Sequence, residues 1–96
     1  MKNETSILLA KHLQELGVLF ATEVRVTPGR RWRWDFTLPD ELIAIEIDGF
    51  FKGRHQAFGK DYEKQNFGVM RGWRVLRFTT RDVLRGRAKA FLKEYL

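Results

Sequence analysis

The sequence predicts a single α/β domain with a central mixed sheet flanked by helices, in the order helix, three strands, helix, strand, helix. Three observations carry this reading. Stretches between residues 23 and 48 alternate apolar and polar residues with the period of a strand. Apolar residues at helical spacing bracket them on both sides. The 96 residues suffice for one modest core and leave no room for a second domain, so the domain is expected to span residues 1–96.

Each element has a local justification. Thr5 to Leu16 reads as a helix: Leu9, Leu13 and Leu16 share a face, Thr5 suits the cap and Gly17 the stop. Glu23 to Val26 reads as a short strand with Val24 and Val26 on one side. Pro28-Gly29 marks a turn. Arg31 to Leu38 then alternates, with Trp32, Trp34 and Phe36 on one face and Arg31, Arg33 and Asp35 on the other, so the two strands form a hairpin. Pro39-Asp40 is the next turn. In Leu42 to Asp48, Ile43, Ile45 and Ile47 point one way; Leu42, Ala44, Glu46 and Asp48 point the other. Apolar residues on both faces mark a central, covered strand. Residues 49–59 read as a loop. Lys60 to Arg71 reads as a helix with Tyr62, Phe67 and Met70 among its apolar residues and Gly72 as its stop. Trp73 to Thr79 is a further strand, and Thr80 caps a last helix carrying Val83, Leu84, Ala88, Phe91 and Leu92. No repeat, linker or low-complexity segment interrupts the pattern.

The net charge of +6 points to a polyanionic partner. The absence of cysteine excludes a disulfide framework and thiolate zinc sites. No apolar run reaches the length of a membrane span, and the first residues, Met-Lys-Asn-Glu-Thr, carry no signal-peptide core. A cytoplasmic location is the expectation.

Within this basic chain the acids Asp35, Glu46 and Asp48 fall on consecutive strands. Glu46 and Asp48 share a strand face because the side-chain period is two. Antiparallel pairing across the 38–41 turn brings Asp35 beside Glu46. Three clustered carboxylates raise one another's pKa unless a cation is present, and that cost argues for a bound metal. Two carboxylates and a backbone carbonyl can form the protein side of a Mg²⁺ site, with Mn²⁺ as a substitute. Such an ion polarises a phosphoryl oxygen and activates water, as phosphodiester cleavage requires. Equally, acids on a strand face are often simply solvated.

The stretches RRWRWDFTLP, IAIEIDG, GRHQAFGKDYEKQN and GWRVLRFT, in this order, resemble the PD-(D/E)XK, or restriction-endonuclease-like, nuclease superfamily. Within it the chain is most similar to small phage and bacterial endonuclease domains related to the very-short-patch-repair endonucleases. The likeness covers about residues 23–79. It implies that Asp35 and Glu46 bind the metal, with the Ile47 carbonyl as a further ligand. The superfamily's lysine two residues after the glutamate is absent, because Asp48 stands there. The resemblance therefore implies that Lys64 or His55 takes its role, and it favours His55, because very-short-patch-repair-like enzymes use a histidine after this strand. Related families place a glutamate on the first helix; Ser6 stands near that position here, and Glu23 or Glu4 could substitute.

His55 precedes the second helix, and Asp61 and Lys64 lie three apart on it. His55 could act as general acid or base or orient a leaving group. Asp61 could orient His55 or a metal-bound water, and Lys64 could stabilise phosphate charge. The bland alternatives are a surface histidine and an ordinary helical ion pair. Arg30, Arg31, Arg33, Lys52 and Arg54 flank the acids in sequence, where a phosphate backbone would be gripped. Arg81, Arg85, Arg87 and Lys89 read as a solvated face, and His12 as surface. Trp32, Trp34 and Trp73 either stack on bases or fill the core. Phe50 and Phe51 suit a duplex wedge or a dimer contact.

These readings converge on a Mg²⁺-dependent DNA endonuclease, nicking or acting on branched or mismatched DNA, with RNA open as a substrate. So small a domain would need a homodimer, a fused domain or a recruiting partner to cut both strands specifically. The alternatives are a non-catalytic nucleic-acid-binding module on the same fold and an interaction protein whose basic face docks an acidic protein.

Overall fold

The computed structural model describes residues 3–49 and 59–96, apart from the side chains of 59–61. Its elements are α1 (Glu4–Glu15), β1 (Ala21–Arg25), β2 (Arg33–Leu38), β3 (Ile43–Asp48), α2 (Gly59–Met70), β4 (Arg74–Thr79), α3 (Thr80–Leu84) and α4 (Arg87–Tyr95). The strands form one sheet in the order β1-β2-β3-β4. The first two pairings are antiparallel and β3–β4 is parallel, so the sheet is mixed, as expected, with helices on both faces. No helix among the described residues is long and apolar enough to cross a membrane.

Several element ends differ from expectation, each for a local reason. Asn3, not Thr5, caps α1: its Oδ1 accepts from the Ser6 N–H at 2.9 Å, and Asn is among the best caps. Thr79, not Thr80, caps α3. Its hydroxyl accepts from the Asp82 N–H, and the Asp82 carboxylate accepts from the Thr79 N–H, each at 3.0 Å, a reciprocal capping box. The single last helix breaks in two at Gly86, whose φ of +77° is a conformation glycine adopts without a Cβ clash. Leu42 precedes β3 at φ +55° with its side chain 53% exposed, so the strand starts at Ile43. His12 is half-buried rather than on the surface, and burial followed by the charge of Lys89 lowers its pKa.

The alternation of β3 divides the helices between the two faces. Ile43 and Ile45 join Phe36 and Leu38 of β2 in a core closed by Leu9 and Leu13 of α1, Val83 of α3, and Ala88 and Leu92 of α4. On the opposite face α2 reaches Glu46 through Lys64 and Arg77 through Gln65. Trp34 and Phe36 were expected to share a face, yet only Phe36 enters that core; Trp34 packs under α2, against Gly68. The β1–β2 ladder pairs Thr22 with Phe36 and Val24 with Trp34 but omits Glu23 and Asp35 between them. Glu23 there adopts φ +55°. A backbone irregularity at this point breaks the alternation of side chains.

Gly68 sets how closely α2 approaches the sheet. A Cβ at this position would overlap Trp34 Cζ2 and lie 2.7 Å from Cη2. Gly→Ala inside a helix ordinarily gains about 1 kcal/mol. Here overpacking reverses the sign, and Gly68→Ala should lose about 1–3 kcal/mol. The measurement is the urea midpoint at unchanged m-value; a midpoint at or above wild type would contradict close packing of α2 on Trp34.

Candidate functional site

The β2–β3 ladder pairs Leu38 with Ile43, Thr37 with Ala44 and Phe36 with Ile45, and ends there. The next position along the register joins Asp35 and Glu46, and side chains take over from backbone. The Asp35 N–H donates to Glu46 Oε2 at 2.8 Å, and the Ile47 N–H donates to Asp35 Oδ2 at 2.7 Å. Each carboxylate thus accepts from a backbone donor that strand pairing leaves without a carbonyl. Asp35 lacks a ladder partner on β1 as well. β3 keeps its direction because β4 pairs with it through Asp48↔Thr79. The two acids therefore sit where β2 departs from a strand held on its other edge.

Lys64 completes this centre from α2. Its Nζ donates to Glu46 Oε1 and, at 3.0 Å, to the Arg33 carbonyl, and it lies 5.2 Å from the centre of the Trp34 ring. Glu46 is 6% exposed and Lys64 9%, so the pair is a buried salt bridge that needs these additional partners to offset its desolvation. Trp34, the carbonyl of Arg33 and the close approach at Gly68 together form the seat of the ammonium group.

Burial raises the pKa of Asp35; the Ile47 N–H and the Lys64 charge oppose it, and the Glu23 charge adds to it. Burial also raises the pKa of Glu46, with the charge of Asp35 next, opposed by Lys64. Two carboxylates facing one ammonium leave one uncompensated negative charge when both are ionised. Oxygen donors with that residual charge fit a hard divalent cation such as Mg²⁺, which typically takes one or two carboxylates and keeps several waters.

Asp48 does not complete the expected trio. Arg77 grips its carboxylate from Nε at 3.1 Å and Nη2 at 2.7 Å, and extends Nη1 to Gln65 Oε1 at 3.0 Å. Among the described residues no three His, Cys, Asp or Glu side chains are grouped to hold a metal ion. Parallel pairing sets Glu46 beside Arg77, so the arginine lies next to Asp48 on the same face and captures it. Arg77 and Gln65 were not anticipated; the parallel register places the first and the packing of α2 on the sheet the second.

Glu23 lies close to Asp35. With Ser6, Ala10, Gln14 and Phe36, both line a cleft of about 430 Å³ between α1 and the sheet. Ser6 thus borders the acids, whereas Glu4 lines a different cleft beside Thr79 and Arg81. Ile47 joins the site through its N–H. Arg30, Arg31 and Arg33 are exposed along the entry to β2. Lys52, Arg54, His55, Phe50 and Phe51 lie outside the described residues, as does the side chain of Asp61.

The structure is similar to one described as the catalytic domain of the homing endonuclease I-Bth0305I. The TM-score is 0.75 at 19% sequence identity, over 98% of this chain and 94% of that one. A likeness at this identity shows a shared fold. No family model and no curated protein matches the sequence.

A raised folded pKa means that the stability contributed by the Asp35 carboxyl is present below its unfolded pKa and is lost as pH rises through the folded value. Asparagine can accept the Ile47 N–H without carrying charge. Asp35→Asn should therefore melt a few degrees above wild type at neutral pH in the presence of chelator. The difference should shrink to nothing in acid, where the wild-type carboxyl is protonated. Thermal melts across that pH range test this; an unaltered or lower melting temperature at neutral pH would show that burial does not burden the ionised carboxylate.

Proposed function

We propose that the chain is a metal-dependent endodeoxyribonuclease whose hydrolytic centre is Asp35, Glu46 and Lys64. The observation that carries this is the cross-strand carboxylate pair, Glu46 buried and Asp35 half-buried, with excess negative charge met by a single lysine in a chain of net charge +6. The fold shared with a domain described as catalytic in a homing endonuclease supports the reading and favours DNA as substrate. In this account the chain is a restriction-endonuclease-like, PD-(D/E)XK-type enzyme of the very-short-patch-repair kind. The superfamily's lysine function comes from α2, because Asp48 occupies the usual position and is tied to Arg77.

Asp35 and Glu46, with the Ile47 carbonyl, would hold Mg²⁺ or Mn²⁺, which when bound polarises the phosphoryl oxygen and lowers the pKa of the attacking water. Hydrolysis forms a bond from water oxygen to phosphorus and breaks one P–O ester bond, with a proton passing to the leaving oxygen. Lys64, fixed by Glu46 and the Arg33 carbonyl, donates to a phosphoryl oxygen and stabilises the developing charge. Glu23, in the same cleft as Asp35, orients water there. His55 serves in proton transfer with Asp61 as its partner. Arg30, Arg31 and Arg33 hold the backbone on one side of the scissile bond, and Lys52 and Arg54 on the other.

The decisive assay incubates plasmid and branched DNA with Mg²⁺, Mn²⁺ or EDTA. Wild type should cut with either ion and not with EDTA. Asp35→Ala and Glu46→Ala should abolish cleavage while DNA binding persists, and Lys64→Ala should slow it by about 10²–10³-fold. Full activity of Glu46→Ala would falsify the assignment. A second reading, a binding module without catalysis, is favoured by three carboxylate oxygens already being engaged by protein donors. It predicts salt-sensitive DNA binding with no cut product under any ion.

A further inference from the structure

Three cation–aromatic contacts occur among the described residues: Arg30 over Trp32, Lys64 near Trp34 and Arg71 over Phe67. About one would be expected in a protein of this length, and all three lie on the flank where the entry to β2 meets α2. Two of them are joined into one structure. The Arg30 guanidinium carbon is 4.2 Å from the centre of the Trp32 ring, Trp32 meets Phe67 edge-to-face at 5.6 Å, and the Arg71 guanidinium carbon is 4.0 Å from the Phe67 ring. The sequence of contacts is arginine, tryptophan, phenylalanine, arginine. Both arginines are exposed and both rings half-buried. The main apolar cluster lies on the other side of the sheet.

We propose that this arginine–aromatic ladder is a binding platform for an unpaired DNA strand, so that the preferred substrate carries a single-stranded or splayed segment beside the bond to be cut. The inference rests on the nuclease reading for its connection to cleavage, while the platform itself can be tested without it. Aromatic rings and guanidinium planes stack on any base whose face is free, and the adjoining positive charge tracks the phosphates. An intact duplex keeps its base faces stacked inside and offers only phosphates and groove edges, which would leave the rings unused. The middle of the ladder also adjoins the hydrolytic centre along the chain. Trp32 immediately precedes Arg33, whose carbonyl holds Lys64, and Phe67 lies one helical turn beyond Lys64 on α2. A strand stacked on the two rings therefore passes beside the segments that hold the ammonium group. Glu63, 3.5 Å from Arg30, anchors one end of the ladder without neutralising Arg71.

The test measures binding of the full chain in EDTA, by fluorescence anisotropy, to a dT oligonucleotide of about 20 nucleotides and to a duplex of equal length, so cleavage plays no part. Wild type should bind the single strand more tightly. Trp32→Leu should weaken single-strand binding about tenfold, the effect of losing one stacked base, and duplex binding less than about twofold; Trp32→Phe should restore most of the loss. Arg71→Gln, at an exposed position outside the set that grips the backbone, should produce the same selective loss even where Trp32→Leu fails to fold. Equal losses on both DNAs, tighter binding to the duplex, or competition by polyglutamate as effective as by dT would each overturn the platform. A chain that cuts DNA while its Trp32 and Arg71 variants keep single-strand affinity refutes the platform alone. A chain that never cuts but shows the selective loss refutes only the nuclease reading.

Discussion

The pair of hydrogen bonds from Asp35 N–H to Glu46 and from Ile47 N–H to Asp35 is the constraint on which the candidate site depends. Two neighbouring antiparallel strands would normally continue their ladder. Here the ladder stops at Phe36 and Ile45, and the carboxylates supply the missing acceptors. Both acids are thereby fixed by backbone donors, and Glu46 by the Lys64 ammonium as well. The same bonds draw them out of water, where their ionised forms are costly. A site able to concentrate negative charge thus arises from a local failure of strand pairing.

That charge sets the requirements for the surrounding structure. Lys64 must be close to Glu46, so α2 must lie close to the sheet, and the absence of a side chain at Gly68 over Trp34 permits it. A second tie runs from Asp48 through Arg77 to Gln65, the residue after Lys64. It spans β3, β4 and α2 and holds the helix in register with the strand that carries Glu46. Asp48, gripped by Arg77, thus helps to fasten the helix from which Lys64 arrives. Glu23, held at a left-handed φ opposite Asp35, shows the same irregularity on the other edge of β2. Strained residues of this kind persist where the surrounding structure over-determines them, and they gather at functional sites.

Much of the fold was legible in the sequence because its signals are local. Leu9 and Leu13 mark the buried face of α1, Ile43 and Ile45 the buried face of β3, and Gly17 and Gly72 follow the ends of α1 and α2. Boundaries moved by a residue or two where two residues competed as caps: Asn3 against Thr5, and Thr79 against Thr80. The break at Gly86 was missed because the apolar residues on either side of it fit one helical pattern. The shared face assigned to Trp34 and Phe36 failed because alternation presumes a regular strand, and β2 is irregular at the residue between them.

The sequence by itself determined the element order and the juxtaposition of Asp35 with Glu46, since a short turn between antiparallel strands fixes which residues face each other. It left open whether Lys64 or another residue would meet Glu46, and it grouped Asp48 with the other two acids. Only the tertiary structure decided those points. The partners involved, Lys64 with Glu46 and Arg77 with Asp48, lie 18 and 29 residues apart, and their meeting depends on how α2 crosses the sheet and on the parallel register of β3 with β4. Neither is a property of local periodicity. Both follow from packing, which only the assembled chain possesses.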